Sequence, residues 1–169
     1  SSLSAQRYIT KSASSLDTTF NRLASGLRIN SAKDDAAGLS IGNRFTYQIR
    51  GLNQAMRNAN DGISVLQVAD GALEETTNSL HRMRELAVQS ANDTYSSSDR
   101  ASLQAEVDQL ISEIDRIASN TEFNDQALLS GAFTGKKMHV GADADQSITV
   151  AITAATSSKL SVNALSITN

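Results

Sequence analysis

Apolar residues recur along this chain at helical spacing. Between Leu3 and Leu27 they form the stripe Ile9, Ala13, Leu16, Phe20, Leu23 and Leu27, separated by four and three residues in turn. That is one face of an amphipathic helix, with Ser, Thr, Arg, Lys and Asn opposite. The same rhythm fills Asp35 to Asn92, where Phe45, Leu52, Ala59, Leu66, Leu73, Leu80 and Ala87 recur every seventh residue. A companion row follows at Ile49, Met56 and Ile63, then at Ala69, Thr76 and Met83. A single helix over 36–91 would be roughly 84 Å long at about 1.5 Å per residue. A compact globule of this chain length has a radius of gyration of only about 15 Å. Such a seam has to be covered by other helices, from this chain or from neighbours.

Gly26 reads as the stop of the first helix, and residues 28–33 as a connector. Asp34 or Asp35 caps the long helix, its carboxylate meeting orphan amides and the positive dipole end. Capping is the simpler reading of these paired acids than catalysis. Gly38, Gly42, Gly51, Gly62 and Gly71 each cost the helix about 1 kcal/mol relative to Ala. Either they are tolerated or they let neighbouring backbones approach, and the small Ala residues beside them favour the second. Asn92 to Ser97 is a polar turn in which Ser96 and Asp99 resemble a capping pair. A third helix over about 97–118 carries the seam Leu103, Val107, Leu110, Ile114 and Ile117. The short connector predicts an antiparallel hairpin covering Leu73, Leu80 and Ala87. Ile111 lies just off this seam, which calls for a further partner.

Beyond Asn120 the character changes. Phe123, Leu128, Leu129 and Phe133 anchor an irregular stretch. Met138 and Val140, then Ile148, Val150 and Ile152, alternate with polar residues on either side of GADADQ, which predicts a β-hairpin over about 137–152. A hairpin alone is marginal, so it should lean on the helices. The tail, 153–169, is rich in Ser, Thr and Ala and follows no firm pattern. The expected fold is therefore mainly α: an elongated, coiled-coil-like helical rod with an amino-terminal amphipathic helix and a small β-hairpin.

Composition narrows the chemistry. Proline is absent, where average usage gives about eight, so long helices are permitted. A formal charge of −3 is too mild to point to nucleic acid or membrane, and no apolar run approaches a membrane span. Without cysteine, disulfides and thiolate metal sites are excluded. His81 sits in HRMRE, which lacks the zinc-protease spacing, and His139 falls in the hairpin. Asp143 and Asp145 lack the glycine and glutamate of a calcium loop. No phosphate loop or nucleophile elbow is present. The reading is a non-enzyme without metal or cofactor.

The first helix would fray in an isolated monomer. Ordering its backbone costs about 1–2 kcal/mol per residue, and a buried large side chain returns about 1.5–3 kcal/mol only where something covers it. Arg82 and Leu86 lie outside the main apolar row, Gln89 extends their face, and Glu106 falls on the helix folding back beside them. This is either an ordinary helix surface or a polar patch centred on an exposed leucine, open to a partner.

RLASGLRINSAKDDAAGLSIGNRF, RGLNQAMRNANDGISVLQVADGALEE and RMRELAVQSAN closely resemble the amino-terminal conserved region of bacterial flagellin, from about Leu3 to Leu129 and more weakly through MHVGADADQSITV. The resemblance implies an extracellular subunit of the bacterial flagellum, delivered by the flagellar export machinery with a chaperone and without a cleaved signal. It implies a filament-core helix at 1–25, a spoke connector at 26–35 and a rod domain at 36–152. Residues 153–169 would lead toward a carboxy-terminal half whose helices pair with those described here. Self-assembly would run along Ile9, Leu16, Phe20, Leu23, Phe45, Leu52, Leu66, Leu73 and Leu80. The family's hairpin is implicated in switching filament supercoil. The family is also sensed by the innate immune receptor TLR5, and the resemblance carries that contact onto Arg82, Leu86 and Gln89, with Glu106 on the facing helix. A hook–filament junction protein and a coiled-coil adaptor are the alternatives, and a metalloprotease-bearing flagellin finds no ligand motif.

Overall fold

The computed structural model describes residues 2–168. Helix α1 spans Ser2–Ser25, α2 Ala36–Ser90 and α3 Ser97–Asn120. The chain divides into two compact units, Ser1–Leu52 and Asn53–Asn169.

In the first unit, α1 ends at Gly26, which takes the left-handed conformation (φ 67°) that closes a helix. The two acids of the connector have separate tasks. Asp35 caps α2, its Oδ1 accepting the Gly38 amide at 2.8 Å. Asp34 closes the preceding turn, its Oδ2 accepting the amides of Asn30 (3.3 Å) and Ser31 (3.2 Å). The bond from the Asn30 amide is the main influence holding the Asp34 carboxyl below its usual value. No residue of α1 is buried.

In the second unit, α3 begins with a capping box. Ser96 Oγ accepts the Asp99 amide at 3.2 Å, and the Asp99 carboxylate accepts the Ser96 amide at 3.0 Å. From there α3 runs back along α2, so Met83 and Leu86 meet Val107 and Ile114, while Val65 and Ala69 meet Ala118. The face of α2 that α3 covers is not the expected one. Buried are Val65, Ala69, Thr76, Met83, Leu86 and Ser90, whereas Leu73 stays exposed. Leu80 and Ala87 reach the packed cluster only at its edge. Ala69 and Thr76 are small enough to let α3 approach closely. The Thr76 hydroxyl donates back to the Ala72 carbonyl at 3.1 Å, so burying it leaves no polar group unpaired.

Two antiparallel strand pairs follow. Strands β1 (Glu122–Phe123) and β2 (Gln126–Ala127) are joined through Asn124 and Asp125, both at positive φ (49° and 59°), the signature of a tight primed turn. Strands β3 (Lys136–His139) and β4 (Ser147–Val150) form the expected hairpin, with Met138 opposite Ile148 and Lys136 opposite Val150. One face of it, Met138, Val150 and then Ile152, packs against the cluster of Val65, Ala69, Leu128, Leu129 and Phe133.

The tail returns along the helices as a strap that turns on itself over residues 156–165. The Ala155 amide donates to the Leu129 carbonyl at 2.9 Å. The Asp115 carboxylate accepts from the Ser157 amide and hydroxyl at 2.8 and 2.7 Å. The Gln104 amide reads the backbone in both directions, accepting from the Ile167 N–H at 2.7 Å and donating to the Leu165 carbonyl at 3.0 Å. Ser90 Oγ donates to the Ile167 carbonyl. Val162, Leu165 and Ile167 thereby join the α2–α3 cluster and supply the partner that Ile111 calls for.

Candidate assembly and partner surfaces

The expected seam residues stand out by their exposure. Ile9, Leu16, Phe20 and Leu23 on α1 are exposed, Leu23 to 80%. On α2, Phe45, Leu52, Leu66 and Leu73 are exposed as well, Leu73 least at 37%. Leu80 alone among these nine packs against the interior of its own unit. Within the second unit, exposed Ile63, Leu66 and Leu73 line an apolar groove of about 370 Å³ with part-buried Ile152. Monomeric soluble proteins rarely expose contiguous apolar stripes of this extent.

The second predicted surface is assembled only in part. Arg82 bridges the helix pair, its Nε donating to Glu106 Oε1 at 2.8 Å and its Nη1 to Glu85 Oε2 at 3.2 Å. The bond to Glu106 is the main influence raising the guanidinium pKa. Gln89 is exposed and donates to the Tyr95 hydroxyl at 3.0 Å. Leu86, expected as the exposed centre of the patch, is fully buried among Met83, Val107, Ile114 and Ile167. The cause is helical phase: Met83, Leu86 and Ser90 are three and four residues apart and share the face turned to α3 and the strap. The exposed apolar residue is Val88, in a shallow cleft with His81, Arg84, Glu85 and Gln89.

Ser90, Gln104 and Asp115, which hold the strap, were not singled out in the sequence. Gln104 and Asp115 lie eleven residues apart, about three helical turns, so they share one face of α3. Polar residues at that interval beside an apolar seam were the available sign. Among the described residues no group of three or more His, Asp or Glu side chains is placed to hold a metal ion. Nor is any described helix long and apolar enough to cross a membrane.

Residues 1–134 match the family described as the bacterial flagellin N-terminal helical region. The chain belongs to the flagellin family. Flagellin of Xenorhabdus nematophila is 50% identical over 167 residues, covering 99% of this chain and 53% of the relative. Flagellin A of Vibrio cholerae is 52% identical over 153 residues, covering 90% of this chain and 40% of the relative. The solved structure of FliC from Burkholderia pseudomallei matches with a TM-score of 0.55 and 43% identity, over 58% of this chain and 38% of that one. This flagellin chain thus spans about two-fifths to one-half of the length of the curated relatives it matches.

Proposed function

We propose that this chain is the amino-terminal part of a flagellin that polymerises outside the cell into the bacterial flagellar filament, a structural rather than catalytic role. The observation that carries it is α1, a 24-residue amphipathic helix with none of its residues buried. A helix that leaves Leu16, Phe20 and Leu23 in water does not offset its own ordering cost. Sister copies supply the missing cover. On α2 the exposed row from Phe45 to Leu73 is covered by helices of the carboxy-terminal half and by neighbouring subunits. Delivery falls to the flagellar export machinery and a chaperone. Electron microscopy of the full-length protein under polymerising conditions tests this. Helical filaments are expected; a discrete complex would favour the coiled-coil adaptor, and short caps at hook ends the junction protein.

A second reading concerns TLR5. It is supported by the cross-helix pair of Arg82 and Glu106, whose side chains remain 49% and 42% exposed, with Gln89 beside them. Arg82 and Glu106 serve as direct contacts, and Leu86 acts from beneath by holding the two helices together. Reporter-cell signalling by Arg82→Ala and Glu106→Ala proteins, with folding checked by circular dichroism, tests it. Undiminished potency in both variants removes the receptor contact.

A further inference from the structure

Met138 of β3 is seated on α2 at Gly62, one of the positions where the helix offers no side chain. Gly62 is buried there, and a Cβ built on it would collide with the Met138 sulfur. Met138 itself is half-buried against the Val65–Leu128 cluster. One residue on, the His139 carbonyl accepts from Asn58 Nδ2 at 2.8 Å. Asn58 is held in turn by Gln54, whose Nε2 donates to Asn58 Oδ1 at 2.8 Å. The hairpin is thus latched to α2 by a thioether in a glycine notch and by one side-chain amide. A two-stranded hairpin has little stability of its own, so its seat depends on that latch together with Val150 and Ile152.

We propose that Met138 is a reversible oxidation site whose sulfoxide unlatches the β3–β4 hairpin from α2. A peroxide-class oxidant supplies the oxygen. The sulfur lone pair forms an S–O bond, the peroxide O–O bond breaks, and water leaves. The sulfur is oxidised by two electrons and the peroxide reduced by two. The product is polar where the reactant was apolar. Its oxygen sits on an atom in contact with a helix whose backbone N–H groups are already committed to the i→i−4 ladder. An acceptor held against α2 without a donor is costly, so the sulfoxide favours the lifted hairpin. The other methionines frame the site: Met56 is 63% exposed on α2 and Met83 only 2% exposed in the α2–α3 core.

The full-length chain carrying Met56→Leu, which removes the freely exposed thioether, is treated with hydrogen peroxide and digested briefly with trypsin. Lys136 and Lys137 lie within β3 and become substrates only when the strand lifts. The expected result is sulfoxide at Met138 before Met83, and cleavage after Lys136 or Lys137 about tenfold faster than in untreated protein, since cutting tracks the open population. Methionine sulfoxide reductase should restore the original rate, and cleavage after Lys33 should not change. Gly62→Ala should speed the same cleavage without oxidant, and Met138→Leu should make it indifferent to peroxide. The proposal is overturned if Met138 resists oxidation as long as Met83 does. It is equally overturned if the oxidised protein is cut no faster, or if Met138→Leu protein shows the same response to peroxide.

Discussion

Helices α1 and α3 are both 24 residues long, and both carry a seam stepping by four and three. Their fates are opposite. α3 buries Val107, Ile114 and Ala118, while α1 buries nothing. Both stripes are built of large apolar side chains, Phe20 on α1 among them. The difference lies in how each helix is connected. A short turn, closed by the Ser96–Asp99 box, delivers α3 directly onto Met83 and Leu86. After α1 comes Gly26 and a polar connector whose own side chains satisfy its backbone through Asp34. The seam states how much apolar surface needs cover, and the connection decides whether the same chain supplies it.

Hydrogen exchange offers the largest test of this contrast. In the isolated chain, amides of α1 are expected within about tenfold of unprotected rates, because local opening there costs almost nothing. Amides around Val107 and Ile114 should be slowed by about 10³-fold or more. On polymerisation the α1 amides should become as slow as those of α3. Strong protection of α1 in the monomer would remove the need for sister copies and with it the main argument for assembly.

Truncation gives the next largest effect. Leu86→Ala and Ile114→Ala each open a cavity in a fully buried site and should cost about 2–5 kcal/mol in chemical denaturation. Leu23→Ala, at a site 80% exposed, should change monomer stability by no more than about 0.5 kcal/mol. It should nevertheless impair polymerisation. Equal destabilisation by Leu23→Ala and Ile114→Ala would mean that α1 already has a partner within the monomer.

What the sequence disclosed and what it hid follow the same division. The three helices, a cap at Asp34 or Asp35, the capping box and the Met138–Ile152 hairpin were legible because each is local: a period, a cap residue, an alternation. Which of two adjacent rows on α2 would be buried was not legible. Leu66 and Leu73 are the larger residues, yet close approach of α3 selects Ala69, Thr76 and Met83. Leu86 illustrates the same limit. It lies off the main row, and its burial depends on α3 and on Ile167 of a strap eighty-one positions away (167 − 86). The strap itself has no period to read. It is fixed by side chains of other elements, Gln104, Asp115 and Ser90, acting on its backbone.

Smaller effects separate the helix starts. Ser96→Ala should cost about 1 kcal/mol, the usual loss for a hydroxyl cap. The cap also carries a pH signature. The Ser96 hydroxyl and amide hold the Asp99 carboxyl below its usual 3.8. A carboxyl depressed in the folded state stabilises it at pH above that value, and the contribution is lost as pH falls through the lower, folded value. Melting temperature should therefore drop more steeply below pH 3.8 in the parent than in Asp99→Asn protein. Parallel curves would show that the box contributes nothing to the placement of α3.

The smallest expected change in stability, at Arg82, is the most informative about the receptor reading. Its two carboxylate partners are also open to solvent, at 69% for Glu85 and 42% for Glu106, and such pairs add little to folding. Arg82→Ala should leave the melting temperature within experimental error. Leu86→Ala should not. If the proposed contact is made by the exposed pair, signalling falls in Arg82→Ala protein that is as stable as the parent. In Leu86→Ala protein it falls only in step with the folded fraction. Arg82→Lys sharpens the distinction, since one ammonium cannot reproduce a planar fork that reaches Glu106 through Nε and Glu85 through Nη1. The opposite outcome, with Leu86→Ala losing potency at full folding and Arg82→Ala keeping it, would require Leu86 to leave the core on binding. The strap residue Ile167 would then have to move with it, and exchange at the Ile167 amide in the complex would reveal that motion directly.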